Sequence, residues 1–123
     1  MSGNKFLLDT NAILYMLGGD KTLSDFLFEK ELYISIITEM ELLSYKHITA
    51  KEQKVISNFL KELVVININD EIKENTIDLK KKHQMKLPDC IIAATASWLK
   101  IPLLTSDKQF KILANFDLVC YEK

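Results

Sequence analysis

The chain has 123 residues, of which 48% are hydrophobic and 27% are charged, and its formal net charge is −1. The length fits one compact domain, the apolar content argues against global disorder, and no apolar run approaches the roughly 20 residues that a membrane span requires. The near-neutral charge, carried by 16 lysines and no arginine against 17 acids, argues at first against a strongly basic nucleic-acid-binding protein.

In chain order, the first half predicts a strand, two helices, a strand and a helix, at residues 5–8, 10–17, 23–29, 32–36 and 37–45. A longer helix follows, opened by the capping-box pair Thr49 and Glu52. Its predicted core face consists of Val55, Ile56, Phe59, Leu60 and Leu63. The remaining pattern predicts a strand, two helices, a strand, a helix and a strand, at 64–68, 70–83, 89–99, 102–105, 108–114 and 118–121. The 89–99 helix is apolar nearly all round and is therefore predicted to be buried.

Strands that alternate with helices and read as continuous apolar runs indicate an α/β fold with a mostly parallel sheet covered on both faces. Right-handed crossovers place the carboxyl end of every strand at one edge of such a sheet. Ligands bind in the crevice beyond that edge, so candidate functional residues are sought there.

The amino-terminal segment is not typical of a signal peptide, because Asp9 and Asn11 interrupt its apolar stretch. Cys90 and Cys120 both lie in apolar patterns and are predicted to be reduced core residues rather than a disulfide or metal ligands. Together these features predict a cytoplasmic protein.

Four acids are predicted to lie at the carboxyl edge: Asp9, Glu41, Asp89 and Asp107. Each has a structural explanation, since Asp9 and Asp107 can cap helices, Thr38 and Glu41 form a capping-box pattern, and Asp89 suits a helix amino terminus. Four converging carboxylates, however, repel one another and raise their pKa values unless a cation compensates. Oxygen ligands of this kind suit Mg²⁺, so the joint pattern predicts a divalent-metal site.

Polar residues adjoin two of these acids. Thr10 and Asn11 follow Asp9, and Thr105 and Ser106 precede Asp107. They are interpreted either as helix caps or as groups that orient Asp9 or a metal-bound water, and residues around a metal site often do both.

Two further features allow a functional and a structural interpretation. The basic residues Lys80, Lys81, Lys82 and Lys86, with His83, form either a solvated helix end or a phosphate-contacting patch that brings affinity without sequence choice. Apolar residues of the 23–29 and 37–45 helices belong to the core or face a partner helix or a second copy of the chain; they are Phe26, Leu27, Phe28, Met40, Leu43 and Tyr45.

The blocks FLLDTNAIL at 6–14, SIITEMEL at 35–42, LPDCIIAATA at 87–96 and LLTSDKQF at 103–110 resemble the PIN-domain family, in particular the VapC-like toxins of bacterial toxin–antitoxin systems. The resemblance implies a three-layer α/β/α sandwich over residues 1–123 and cleavage of RNA that depends on one or two Mg²⁺ or Mn²⁺ ions. It carries over Asp9, Glu41, Asp89 and Asp107 as catalytic metal-binding acids, with Thr10, Asn11 and Thr105 as supporting positions. It also implies a cognate antitoxin as partner.

The family often has arginine near its active site or basic surface, and this chain has none. Phosphate contacts must therefore come from lysine, backbone amides or the metals, without a bidentate guanidinium. Two bound divalent cations would make the formal charge positive, so RNA binding is expected to depend on the metal.

The sequence also leaves three alternative functions open. One is a PIN-like module that binds RNA without cutting it, although such a binder gains nothing from a repelling acidic cluster. Another is a signalling receiver domain, which requires a phospho-acceptor aspartate at the end of its central strand. Here residues 64–68 are taken as that strand, and Asn69 and Asp70 follow it. The early acidic pair of a receiver is also missing, because Thr10 follows Asp9. The third is a structure-specific DNA nuclease with related metal chemistry.

Overall fold

The computed structural model describes residues 4–113 and 116–121. Within these residues five strands form, namely β1 Lys5–Leu8, β2 Glu31–Ser35, β3 Val64–Ile66, β4 Leu103–Thr105 and β5 Leu118–Cys120. Six α-helices accompany them, namely α1 Thr10–Leu17, α2 Lys21–Leu27, α3 Ile36–Leu43, α4 Ala50–Leu60, α5 Asp70–Lys82 and α6 Leu87–Leu99. A 3₁₀ helix at Lys108–Ile112 lies between β4 and β5.

The five strands form one sheet in the order β3-β2-β1-β4-β5. Every strand pairing is parallel, as the alternating pattern predicted. The chain builds outward from β1 to β2 and β3, then returns to add β4 and β5 on the other side of β1. The direction of strand addition therefore reverses between β1 and β4, and such a reversal opens a ligand crevice at the carboxyl ends of the two strands.

Helices cover both faces of the sheet, which confirms the three-layer α/β/α sandwich. Successive strand residues point to opposite faces, and the core accordingly divides into two clusters. Phe6 and Leu8 of β1 pack in the cluster that contains buried residues of α1, α2, α3 and α4. Leu7 of β1 and Leu103 of β4 pack in the other cluster, with buried residues of α6 and the 3₁₀ helix.

Helix α6 is the most deeply buried helix of the described chain, as its all-round apolar sequence predicted. All seven residues from Cys90 to Ala96 are buried. The helix begins with Pro88 in its first turn, where a missing N–H leaves no helical bond unmade, and it ends at Lys100 in the left-handed region, with φ 59°. This burial fixes the position of Asp89, which lies in the first turn.

The capping box at the start of α4 is confirmed. The Glu52 amide donates to Thr49 Oγ1 at 3.0 Å, and the Thr49 amide donates to Glu52 Oε1 at 2.9 Å. The predicted box of Thr38 and Glu41 is wrong, because α3 is capped three residues earlier by Ser35, whose Oγ accepts from the Ile37 amide at 3.2 Å. Thr38 is buried within the helix.

Several predictions at the periphery of the fold are wrong. Val55, predicted in the core, is 51% exposed, because it lies at the edge of the apolar stripe of α4 and lines an open surface groove. Cys120 is a free but exposed thiol, whereas Cys90 is free and buried. The helix predicted at 108–114 is a 3₁₀ helix that ends at Ile112, and Ala114 lies outside the described residues.

Strand β3 ends at Ile66 and lies at the edge of the sheet, whereas β1 occupies the centre. The assumption that residues 64–68 form a central strand, on which the receiver-domain alternative was weighed, is therefore wrong. The observed order also differs from the 2-1-3-4-5 order of flavodoxin-like receivers. No helix among residues 4–113 and 116–121 has the length and apolar character needed to cross a membrane.

Candidate active site

A cleft of about 440 Å³ at the carboxyl edge of the sheet is lined by all four predicted acids. Asp9 directly follows β1, and Asp107 follows β4 by two residues. Glu41 lies in the second turn of α3, and Asp89 lies in the first turn of α6. Four separate segments thus bring their carboxylates to the crevice beside β1 and β4, where the strand order reverses.

Asp9 is the most buried of these acids, with only 4% of its surface exposed. Its Oδ1 accepts a hydrogen bond from the Ala12 amide at 2.8 Å, and its Oδ2 accepts one from the Thr105 hydroxyl. Asp9 is therefore the amino-terminal cap of α1, as the structural interpretation predicted. Burial raises the pKa of Asp9, the two hydrogen bonds partly oppose this, and the negative charges of Asp107 and Asp89 raise the pKa further.

Thr105 joins the acids of the two central strands. Its side chain is fully buried, and while its hydroxyl donates to Asp9, its Oγ1 accepts from the Asp107 amide at 3.0 Å. One threonine therefore fixes both the Asp9 carboxylate and the backbone that carries Asp107. Ser106, which the sequence placed beside it as an equal candidate, lies next to Tyr121 and is not part of the described cleft wall.

Thr10 orients Glu41 rather than Asp9. The Thr10 hydroxyl donates to Glu41 Oε1 at 2.5 Å and lies 3.3 Å from the Thr38 hydroxyl. Because Thr10 begins α1 and Glu41 belongs to α3, this contact ties the two helices at the cleft wall. Asn11 is exposed and also lines the cleft.

Gln109 is a site residue that the sequence did not single out. Its Nε2 donates to Asp89 Oδ2 at 3.1 Å and to Asp107 Oδ2 at 2.9 Å. The Gln109 backbone amide also donates to Asp107 Oδ1 at 3.0 Å, which makes Asp107 the cap of the 3₁₀ helix. Its position two residues after a capping aspartate was a signal for the contact with Asp107, whereas the contact with Asp89 depends on the packing of α6.

The carboxylates that line the cleft influence one another's pKa values. Burial raises the pKa of Asp89, and the negative charges of Asp107 and Glu41 raise it further. Lys86 and the Gln109 hydrogen bond oppose this shift. The charged forms of Asp9 and Asp89 are therefore disfavoured in the metal-free protein, and a cation in the cleft would favour them again.

The donor set of the cleft is composed of oxygens, which suits a hard cation such as Mg²⁺ or Mn²⁺. In the part of the chain that the structure describes, no three acidic, histidine or cysteine side chains are already gathered into a coordination sphere. Thr105, Thr10 and Gln109 each hold a carboxylate oxygen of the cleft by a hydrogen bond. The chemistry of these carboxylate ligands therefore fits a hard divalent cation.

The predicted basic segment lies beside this cleft. Lys80, Lys81, Lys82 and Lys86 line one shallow surface depression together with His83. All four lysines are exposed, and Lys82 pairs with Asp78 at 3.0 Å. Lys86 directly precedes α6 without a capping side-chain hydrogen bond, and its positive charge opposes the rise in the pKa of Asp89.

The apolar residues predicted on the 23–29 and 37–45 helices divide between core and surface, and Phe28 and Tyr45 lie just beyond the ends of α2 and α3. Leu27 is buried, and Leu43 is partly buried against the same core cluster. Phe26, Phe28, Met40 and Tyr45 are exposed, by 47%, 73%, 48% and 47% respectively. Tyr45 lies between two features, because it lines both the acidic cleft and the apolar groove next to α4.

Comparison with known proteins gives one family and several related folds. The family model of the PIN domain matches residues 6–115. A chain of a toxin–antitoxin complex from Klebsiella pneumoniae is 28% identical, with a TM-score of 0.81 over 95% of this chain and 98% of that one. A chain of VapBC2 from Rickettsia felis, in a complex with a DNA fragment from the VapBC2 promoter, is 20% identical, with a TM-score of 0.84 over 96% of this chain and 99% of that one. A chain of DNA-bound VapBC from Salmonella typhimurium is 20% identical, with a TM-score of 0.78 over 94% and 97%. No curated protein matches this chain.

Proposed function

The protein belongs to the PIN domain family, and from this premise we propose that it is a metal-dependent endoribonuclease that serves as the toxin of a toxin–antitoxin pair. One observation carries the nuclease proposal: four carboxylates from four chain segments line one cleft at the reversal of strand order. The pKa values of Asp9 and Asp89 are raised, first by burial and then by the neighbouring carboxylates, so their charged forms are disfavoured in the metal-free protein. A bound cation removes that disadvantage.

We propose a central role for Asp9 and a completing role for the other three acids. Asp9 would be the central ligand, because Ala12 and Thr105 hold both of its oxygens in a fixed orientation. Glu41, held by Thr10, and Asp89 and Asp107, held by Gln109, would complete the ligand set directly or through water. When bound, one or two Mg²⁺ or Mn²⁺ ions supply a more acidic water and offset the charge that develops on the phosphate.

RNA would approach across the surface beside Asp89, where Lys80, Lys81, Lys82 and Lys86 are exposed. Lysine contacts with phosphate add affinity but do not select a sequence. This surface adjoins the cleft through Lys86 and Asp89. A strand held by these lysines would therefore pass close to the acids.

An antitoxin partner is proposed on two grounds. The similar Klebsiella pneumoniae structure is a toxin–antitoxin complex. In addition, Phe26 and Phe28 expose large apolar side chains at the end of α2, and Met40 exposes one on α3; a bound antitoxin would remove this apolar surface from water. We therefore expect an antitoxin encoded beside this chain to cover part of α2 and α3.

Purified protein tests the enzymatic part of the proposal. Wild type is incubated with a single-stranded RNA and with a DNA of the same sequence, in Mg²⁺, in Mn²⁺ and in EDTA. Cleavage of RNA that requires the metal and yields 5′-phosphate and 3′-hydroxyl ends is the expected result, and Asp9→Asn is expected to retain the fold without cleaving. Binding of RNA without cleavage would support the non-cleaving module, and preferred cleavage of DNA would support the DNA nuclease.

Expression in a bacterial host tests the toxin role. Wild type is expected to arrest growth and fragment cellular RNA, whereas Asp9→Asn is expected to do neither. Co-expression of the neighbouring antitoxin gene should restore growth. Normal growth with intact RNA at the same protein level would contradict the toxin role while leaving the cleavage assay to judge the enzyme.

A further inference from the structure

The side chain of Gln109 makes contacts that no other described residue duplicates. Its single Nε2 atom has two hydrogens, and it lies 3.1 Å from Asp89 Oδ2 and 2.9 Å from Asp107 Oδ2. A primary amide that faces two carboxylates can satisfy both at once only through its nitrogen. The amide therefore links two like charges that belong to different elements, α6 and the turn after β4.

No ion pair among the described residues supplements this link between Asp89 and Asp107. Three lysine–carboxylate pairs lie within 4.0 Å among the described residues, and none includes either acid. Lys86 acts on Asp89 only at longer range. Without the amide, the two negative charges would be expected to move apart.

The amide holds the acids without occupying the cleft. Asp89 and Asp107 both line the cleft, but the described lining residues do not include Gln109. The amide thus contacts carboxylates of the cleft without lining the cleft itself, and each carboxylate oxygen has a further lone pair for a second partner. A metal in the cleft and the amide can therefore share the same two acids.

We propose that Gln109 is a positioning residue of the metal site, whose side-chain amide holds Asp89 and Asp107 at a spacing suited to a divalent cation. The inference rests on the proposed metal-dependent function and adds to it a residue outside the four acids. Partners of this kind orient metal ligands, and their loss commonly lowers metal affinity by about 10- to 100-fold.

If Gln109 had only a structural role as part of the 3₁₀ helix, loss of its side-chain amide would leave metal binding unchanged. The capping of the 3₁₀ helix uses the backbone amide of Gln109, which donates to Asp107 Oδ1 at 3.0 Å. Any substitution other than proline keeps that bond. Gln109→Met is therefore a suitable variant, because methionine has nearly the same length and no hydrogen-bond donor. Gln53→Met, on the exposed surface of α4, is the matched control.

The test measures Mn²⁺ binding to wild type, Gln109→Met and Gln53→Met by electron paramagnetic resonance, with no RNA present. Gln109→Met is expected to bind Mn²⁺ about 10-fold more weakly or worse, and Gln53→Met is expected to match wild type. The Mn²⁺ concentration for half-maximal RNA cleavage should rise by a similar factor, with the rate at saturating metal within a few-fold of wild type. Thermal unfolding in EDTA shows whether the variants fold equally well.

The possible results distinguish failure of the Gln109 positioning role from failure of the proposed metal site. Equal or tighter Mn²⁺ binding by folded Gln109→Met would overturn the positioning role. If Gln109→Met is too unstable to assay, the same titration on Gln109→Asn decides, since a shorter amide cannot span both acids and should also bind Mn²⁺ more weakly. Absence of Mn²⁺ binding by wild type would overturn the proposed metal site itself, and the inference with it.

Discussion

The acidic cleft and the neighbouring lysine segment are both charged, but they are built in opposite ways. The cleft gathers four acids from four segments, and each acid is held by a hydrogen bond to a specific partner or by the turn that carries it. The lysines come from one stretch at the end of α5 and the turn after it, and their side chains project into solvent. Charge held in fixed geometry suits chemistry, whereas mobile exposed charge suits the attraction of a polyanion.

Loss of one cleft acid should have the largest effect. Asp107→Asn keeps the capping oxygen for the Gln109 amide but removes a negative charge from the cleft. We expect metal-dependent RNA cleavage to fall by more than about 100-fold, beyond the usual effect of an outer partner of a metal site. Single-turnover cleavage rates in saturating Mg²⁺ measure this.

Asp117→Asn is the control for this prediction. Asp117 is exposed and precedes β5, at the opposite, amino-terminal edge of the same sheet. Its substitution should leave the rate unchanged. Equal losses in the two variants would mean that general charge, and not the geometry of the cleft, determines cleavage.

Removal of the lysines should weaken RNA binding in a salt-dependent way. In an Asp9→Asn background that does not cleave, the triple change of Lys80, Lys81 and Lys82 to alanine should lower affinity at low salt by about 10-fold or more. The slope of log affinity against log salt should decrease by about 0.7 for each phosphate that a lysine no longer neutralises, or about 2 if all three lysines bind phosphates of single-stranded RNA.

An equally sized change on another helix provides the comparison. Lys51, Lys54 and Lys61 are exposed on α4 and at its end, and their replacement by alanine should leave the slope unchanged. An unaltered slope in the first triple variant would identify the α5 lysines as a solvated helix end, stabilised by the helix dipole and by the Lys82–Asp78 pair.

Thr10→Val should cause a smaller loss of activity than Asp107→Asn. The valine retains the shape of the side chain but removes the hydroxyl that donates to Glu41. We expect RNA cleavage to fall by about 10-fold, since Glu41 keeps its charge and loses only its orientation. Thr22→Val, at an exposed position of α2, should retain the wild-type rate, and equal activity of the two variants would remove the orienting role of Thr10.

The smallest expected effect is on the thermal stability of the metal-free protein. The pKa of Asp9 is raised in the folded protein from its ordinary 3.8, chiefly by burial. Folding therefore favours protonated Asp9, and this contribution to the free energy of unfolding is lost as the pH rises from about 4 through the raised pKa. In EDTA, Asp9→Asn should thus become more stable than wild type toward neutral pH, by a few degrees in Tm for about 1 kcal/mol.

Addition of Mg²⁺ should reverse that order. A ligand that binds only the folded state raises stability by mass action, so Mg²⁺ should raise the Tm of wild type and leave Asp9→Asn unchanged. Thermal melts from pH 4 to pH 8, with and without Mg²⁺, measure both effects. A wild type that is more stable than Asp9→Asn in EDTA at pH 7 would show that the hydrogen bonds from Ala12 and Thr105 outweigh the burial of the charge.

Features that depend on local sequence were predictable. The burial of α6 follows from its apolar residues, the capping box of α4 from Thr49 and Glu52, and the parallel sheet from the alternation of strands and helices. Edge positions were not predictable in the same way. Val55 and Cys120 have apolar side chains in apolar patterns, yet both are exposed, because their burial depends on neighbours that the local pattern does not reveal.

By itself, the sequence determined the alternation of elements, the family resemblance and the expected placement of the four acids at the carboxyl edge of the sheet, because these follow from periodicity and motif order along the chain. Only the tertiary structure decided the strand order, which puts β1 and not β3 at the centre, and the partners of the acids. Thr10 bonds to Glu41 across 31 positions, and Gln109 to Asp89 across 20. Contacts over such separations arise from the packing of helices on the sheet, which no local pattern encodes.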